Sequence, residues 1–230
     1  MKHDGSFHDA MSTAREVDLA LMMADLCGYT ALTETHGALQ ASETVLRFVH
    51  MVQENLEPGV RIVDSIGDSV FCSSEDTLAV VRTALRLRET IWREPGFPRA
   101  SIGIHRGKIV ERDGRLFGAP INLTARLTAC ADGQQILCTE PIASAVTRAE
   151  GPKCRALGEQ RFKNVVHPVS LFELLPADAL HPSIAIDPVC RMQVQIDHSV
   201  AKTKYGGKKF WFCSRECQRT FSESPELYTR

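Results

Sequence analysis

The stretch MADLCGYTALTET, which ends at Thr35, constrains this chain more than any other. Leu19, Ala20, Leu21, Met22 and Met23 form an apolar run that suits a buried strand. The run ends on a single acid, Asp25; Gly28 then permits a sharp turn, and Thr30 opens a long helical pattern. A carboxylate at a strand end suits a hard cation, and the free amides at the start of the following helix suit an anion. Many ordinary strand–turn–helix units also carry an Asp there, so the stretch gains meaning only through partners downstream.

Length and composition set the outer limits. A chain of 230 residues fits one medium domain plus something small, and 43% hydrophobic residues suffice for a core. A net charge of −1 argues against a general nucleic-acid footprint. The first residues, MKHDGSFHDAMSTARE, show no export signal, and no apolar run approaches the roughly 20 residues that span a bilayer. Eight scattered cysteines are therefore read in a reducing cytoplasm, where grouped thiols mean metal more often than disulfide.

Residues 1–16 read as a flexible N-terminal tail. After the first strand a helix is expected from about Thr30 to Leu56, with Val45, Val49, Val52 and Leu56 on one face. VRIVDSIGDSVFCSS reads as two strands joined at Gly67-Asp68, so Asp68 sits at a hairpin tip. A helix over Asp76–Trp92, with Leu78, Val81, Leu85 and Trp92 on one side, precedes a second strand pair that turns at Asp113-Gly114. Gly118-Ala-Pro introduces a helix on which Asn122 and Arg126, four apart, point from one face. That polar row is either a solvated face or a helix edge aimed at an anion. Strands near Gln135–Thr139 and Val169–Leu174 flank a short helix and a connection, LGEQRFKNVVHP, that carries Lys163. The order indicates an α+β domain with a mixed sheet.

The blocks ADLCGYTALTE, DSIGDSVF, GIHRGKIVERDGRLFGAPINLTARL, DGQQIL and LGEQRFKNVVHPVSLFEL resemble, in order and spacing, the catalytic domain of class III adenylate/guanylate cyclases. The resemblance implies a ferredoxin-like fold over residues 17–175, with a mixed, mainly antiparallel sheet and flanking helices. It implies formation of a 3′,5′-cyclic nucleotide and pyrophosphate from ATP or GTP, in intracellular signal transduction. Two Mg²⁺ or Mn²⁺ ions would be held by Asp25, Asp68 and the Leu26 carbonyl. The turn Cys27, Gly28, Tyr29 and Thr30 would cradle the outer phosphates, with Lys163 as a point charge. Asn122 would orient the ribose, and Arg126 would neutralise charge growing on the α-phosphate. In this family the acids and the Asn/Arg helix come from different subunits, which implies a homodimer with composite sites; the net charge and the lack of a long apolar run lead us to expect no nucleic-acid or membrane partner.

Two positions depart from the adenylyl cyclase pattern. Asp64, four residues before Asp68, stands where a Lys is usual, and Arg115, seven before Asn122, stands where an Asp is usual. Adenine would meet both with the wrong hydrogen-bond polarity; guanine offers donors at N1 and N2 to an acid and an acceptor at O6 to a guanidinium. Guanine is favoured on that ground. The rivals are a pair between Asp64 and Arg115 that plugs the base pocket, and base contacts made elsewhere.

Residues 176–185 read as a linker, and residues 186–230 resemble a YHS domain, related to TRASH-type metal-binding modules, on DPVC, FCS, CxxxC and the closing PELY. Cys190, Cys213 and Cys217 are its metal candidates, for Zn²⁺ or another thiophilic metal. His198 or water would complete four-coordination, although a surface role for His198 is the plainer expectation. Arg191 replaces the usual Gly after DPVC. The remaining cysteines suit small apolar core positions. Two functions stand: a purine nucleotide cyclase tuned by a metal-sensing module, or a catalytically silent nucleotide- or metal-binding regulator on the same fold.

Overall fold

A computed structural model of the chain describes residues 14–176 and 183–229. Its centre is β1 (Arg15–Leu26), whose residues Leu19–Met22 are all buried because helices or loops cover both faces of the strand there. β1 pairs with β3 (Ser69–Ser74) on one side and with β4 (Ala100–Arg112) on the other. β2 (Arg61–Ile66) extends the sheet beyond β3, while β6 (Ile136–Thr139), β8 (Val169–Leu174) and β7 (Cys154–Gln160) follow β4. A short β5 (Arg115–Phe117) folds back on β4. Only β4 and β6 run parallel among the pairs of this sheet, so the mixed, mainly antiparallel α+β expectation holds. The parallel pair needs a crossover, and α3 (Ala119–Cys130) provides it.

The even-numbered residues of β1 face a large core shared with α1 (Tyr29–Glu54), α2 (Thr77–Trp92) and α4 (Glu140–Arg148). The odd-numbered ones, Leu19 and Leu21, join Phe71 and Ile109 on the other face. There α3 lies against β4 so closely that a Cβ on Gly103 would fall 2.6 Å from the Thr128 amide and 2.7 Å from the Thr124 carbonyl. A glycine is required at that crossing.

Several expectations need correction. β1 starts at Arg15, inside the stretch read as a tail, because Arg15 and Glu16 form ion pairs with Glu111 (2.9 Å) and Lys108 (3.0 Å) on β4; residues 1–13 lie outside the described residues. The expected single helix over Thr30–Leu56 is broken at Gly37, which has φ 84° and ψ 159°. The buried face of α2 includes the expected Val81 but is centred on Val80, Ala84, Leu87 and Ile91, with the expected Leu78, Leu85 and Trp92 half-buried beside it. β7 forms where only a connection was expected. It is an edge strand, almost wholly exposed, with a bulge near Gly158, so no apolar alternation announces it.

The C-terminal unit holds two hairpins, β9 (Ile184–Ile186) with β10 (Gln193–Gln195) and β11 (Ala201–Tyr205) with β12 (Lys208–Phe212), followed by α5 (Arg215–Glu223). β9 starts within the expected linker; residues 177–182 of that linker lie outside the described residues. Ser214 caps α5, its hydroxyl accepting from the Cys217 amide at 3.0 Å. Phe212 and Phe221 are fully buried and each contributes about 1.5–3 kcal/mol by leaving water.

This small core is not self-contained. Leu32 and Ala41 of α1 belong to the same buried cluster as Val189, Cys190, Met192, Phe212, Cys217 and Phe221. Pro98 forms a bridge to Met192, and the Gln193 amide donates to the Phe97 carbonyl at 3.1 Å. The buried Gln193 side chain also donates to the Ile91 carbonyl at 2.8 Å. No helix among the described residues is long and apolar enough to cross a membrane.

Candidate active site and metal centre

β1 delivers Asp25 to the edge of the sheet opposite Ser69 of β3 and Ser101 of β4. The Ser69 hydroxyl donates to the Asp25 carboxylate. Asp68 sits in the β2–β3 turn, which Gly67 allows with φ 58°, and its carbonyl accepts from the Leu26 amide at 3.3 Å. That bond ties the hairpin tip to the residue after Asp25. Burial holds the Asp25 carboxyl above the usual carboxylate range; the Ser69 hydroxyl opposes the shift and the Asp68 charge adds to it. Burial likewise raises Asp68. Among the described residues, no Lys or Arg forms an ion pair with either acid. Two half-buried, mutually repelling carboxylates without a cation form a donor set suited to hard divalent ions.

The adjoining turn opens a helix. The Cys27 amide donates to the Arg99 carbonyl at 2.8 Å, and Gly28 takes the left-handed conformation with φ 78° that starts α1. No side chain caps this helix start and no acid lies in its first turn. The amides from Tyr29 onward therefore face the turn without a side-chain partner.

The structure brings together Asp25, Leu26, Asp68 and the Cys27–Thr30 turn, and it sets the other expected site residues apart. A Cβ on Gly107 would fall 2.8 Å from Pro120, so α3 starts beside Gly107, whereas Asp25 is in register with Ser101. The six residues between those levels span about 20 Å of strand. Asn122, one turn into α3, therefore lies toward the opposite end of the sheet from Asp25, with Arg126 one turn nearer. Lys163 follows β7 at that same far end: β7 Gln160 pairs with Val169, two residues beyond the Leu171–Thr139 pair, and Thr139 meets His105 at 2.7 Å.

Asp64 is aligned through Phe71 and Met23 with Gly103, and Arg115 is aligned with Arg112. Nine residues of β4, about 30 Å, separate them. A plug made by these two within one chain is ruled out; both are exposed, and Asp64 accepts only from the Ser65 amide.

A second cluster lies behind the turn. Cys190 and Cys213 sulfurs stand 3.3 Å apart, and Cys213 and Cys217 sulfurs 3.7 Å apart. His36 Nε2, at the end of the first segment of α1, lies 3.5 Å from Cys213 and 3.6 Å from Cys217. All four donor atoms lie within 4.8 Å of one another. Buried Asp187 braces the two cysteine loops, accepting from the amides of Val189 (2.9 Å), Cys190 (3.4 Å) and Cys213 (2.9 Å). Hydrogen bonds from the Cys190 and Cys213 thiols hold Cys217 well below the ordinary thiol range, with Ser214 and His36 adding to the effect.

Comparison with known proteins assigns both regions. Residues 185–230 match the YHS domain family. The pH-sensitive adenylate cyclase of Mycobacterium tuberculosis is 29% identical over 164 residues, which cover 70% of this chain and 41% of that protein. The chain thus spans about two fifths of the length of that relative. The adenylyl cyclase CyaB of P. aeruginosa superposes with a TM-score of 0.64 at 19% identity, over 74% of this chain and 99% of that one. An adenylate/guanylate cyclase/hydrolase of Silicibacter pomeroyi gives 0.62 at 24% identity, over 71% and 99%. The large sheet has the class III cyclase fold.

In the larger unit, Asp25 and Asp68 occupy the strand end and hairpin tip on one side of the central pair, and the Cys27–Thr30 turn follows directly. In the YHS unit the three cysteines converge, while His198 is exposed and stands outside the group. Sequence reasoning missed His36. It belongs to the larger unit, 177 residues from Cys213, and no local spacing links them. Its only signal was the glycine that follows it inside a helical pattern.

Proposed function

We propose that the chain is a purine nucleotide cyclase, with residues 15–175 as the catalytic unit and residues 184–230 as a metal-binding YHS unit. The observation that carries this is the pair of unneutralised acids beside an uncapped helix start. Asp25, Asp68 and the Leu26 carbonyl would hold two Mg²⁺ or Mn²⁺ ions, which when bound acidify the attacking ribose 3′-hydroxyl and neutralise the pyrophosphate that leaves. The turn Cys27–Thr30 orients the β- and γ-phosphates through backbone amides. Asn122 fixes the ribose, Arg126 stabilises charge developing on the α-phosphate, and Lys163 binds the outer phosphates.

Asn122 and Lys163 stand toward the other end of the sheet from Asp25, and Arg126 lies between, near the Gly103 crossing, which favours a site completed by a second copy. A two-fold homodimer that lays the Asn122 end of one protomer over the Asp25 end of its partner completes two sites. Unpaired thiols throughout the described chain suit a cytoplasmic setting, and the product suits intracellular signalling.

The polarity of Asp64 and Arg115 favours guanine, while kinship with a protein called an adenylate cyclase favours adenine. Turnover of ATP and GTP measured in parallel with Mn²⁺ decides between them. A strong ATP preference removes the polarity argument, since two mismatched contacts would cost about 1–3 kcal/mol each. Absence of cyclic product from either nucleotide, with binding retained, would leave a silent nucleotide-binding regulator.

A further inference from the structure

We propose that Cys190, Cys213, Cys217 and His36 form one four-coordinate thiophilic-metal site shared between the two units, and that this site clamps Arg191 against Gly28 in the phosphate-binding turn. The second half of the proposal rests on the cyclase function; the first half does not.

The donor geometry supports the shared site. A tetrahedral ion with bonds of about 2.3 Å to sulfur and about 2.0 Å to nitrogen has S···S edges near 3.8 Å and S···N edges near 3.5 Å. The Cys213–Cys217 edge is 3.7 Å, and the edges from His36 are 3.5 and 3.6 Å. The Cys190–Cys213 edge is shorter, at 3.3 Å, yet far longer than a disulfide bond of about 2.05 Å. Among the described residues the C-terminal unit adds no fourth donor to the three thiols: the Asp187 carboxylate accepts from backbone amides and stands outside the group, as does the exposed His198. His36 fills the gap because α1 breaks immediately after it, at Gly37.

The two ends of one short helical segment are thereby connected. From Gly28 to His36 the backbone is a rigid strut of about 12 Å. His36 holds the cluster at one end. At the other end Arg191, the residue after ligand Cys190, packs on the turn: a Cβ on Gly28 would fall 2.6 Å from Arg191 Cγ and 3.0 Å from both Arg191 Cβ and the Cys190 carbonyl. Arg191 holds φ 64°, a left-handed conformation costly for a residue with a side chain, and its amide donates to the Asp187 carbonyl at 3.0 Å. The strain accompanies a function: an arginine in this place sends its charge toward Cys27 and Arg99, beside the amides of the phosphate turn. Metal, His36, the helical strut, Gly28, Arg191 and Cys190 close a ring. Loading the metal fixes a guanidinium where a triphosphate arrives, and losing it frees both.

The test uses the reduced full chain and three variants, His36→Ala, His36→Cys and Arg191→Ala, loaded with Co²⁺ or Zn²⁺. The wild type takes up one ion per chain, with a cobalt spectrum of tetrahedral thiolate ligation. His36→Ala weakens binding at least 10- to 100-fold, the scale seen when even an outer partner of a metal ligand is lost. His36→Cys restores tetrahedral uptake, which separates lost ligation from misfolding. Hydrogen exchange across residues 28–37 slows on loading the wild type and does not slow in His36→Ala. Arg191→Ala keeps the metal and raises KM for the triphosphate several-fold.

Equal affinity in wild type and His36→Ala, or no change in exchange across 28–37, overturns the shared site. A Cys190–Cys213 disulfide that persists through reduction also overturns it. Unchanged KM in Arg191→Ala overturns the clamp alone. If metal and exchange results hold while no cyclic product forms, the cyclase function fails and the shared site stands.

Discussion

Replacing Gly28 by alanine strikes the point where the turn and the YHS unit meet. Gly28 has φ 78°, and a left-handed conformation costs a residue with a Cβ about 1–2 kcal/mol. The new Cβ would also stand 2.6 Å from Arg191 Cγ and 3.0 Å from the Cys190 carbonyl. Arg191 Cγ can swing away, but the Cys190 carbonyl is backbone and must shift, adding about 1–3 kcal/mol of overpacking. The total is about 2–5 kcal/mol, or a fall in Tm of the order of 5–15 °C for a chain of this size. Chemical unfolding of Gly28→Ala, Arg191→Gly and the double variant separates the two causes. In the double variant the Arg191 side-chain contact is gone and a glycine at 191 leaves the neighbouring Cys190 carbonyl free to shift, so the loss shrinks toward the conformational part and the two changes fail to add by about 1 kcal/mol or more. Strict additivity, or a Gly28→Ala chain within 0.5 kcal/mol of wild type, would show that Arg191 does not rest on the turn.

Asp25→Asn removes a charge that burial and Asp68 disfavour while keeping an acceptor for Ser69, so in a chelator the protein becomes more stable, on the order of 1 kcal/mol by urea unfolding, while divalent-dependent turnover disappears. Burial pushes His105 down to about 4, with Asp18 opposing weakly, so it is neutral in the fold and protonates first in the unfolded chain. Stability is therefore unaffected by His105 above about pH 6.5 and is lost as pH falls toward 4, by about 3–4 kcal/mol at most; the wild type minus His105→Asn difference across that window isolates it. Gln193→Ala removes the side-chain donor to the Ile91 and Phe97 carbonyls, which keep backbone donors in Glu94 and residue 193; the loss of these buried contacts costs about 1 kcal/mol and exposes the interface between units to limited proteolysis.

The strands and helices that line the core were legible because their apolar periods are strong. β1 with its run of five hydrophobic residues, the Gly67-Asp68 hairpin and α3 after Gly118-Ala-Pro all follow local patterns. β7 was not legible, since an exposed edge strand with a bulge has no buried face to advertise. The break in α1 hid for the opposite reason: Gly37 interrupts a pattern strong enough to read straight through it. At the candidate site, Asp25, Gly28 and Asp68 lie on short local motifs. His36 and Arg191 act only through tertiary placement. Cys190, Cys213 and Cys217 fall within one segment, whereas their fourth partner comes from a helix on the far side of the chain, and no spacing rule crosses that distance.

The central claim is a site completed by two copies of the chain. Asp25→Ala and Arg126→Ala proteins, each inactive alone, can be mixed in equal amounts and allowed to exchange subunits. Random exchange makes about half the dimers mixed, each with one intact site of two, so cyclic nucleotide formation should recover to about a quarter of the wild-type rate. A mixture that stays as inactive as its components, with exchange verified, would contradict the composite site.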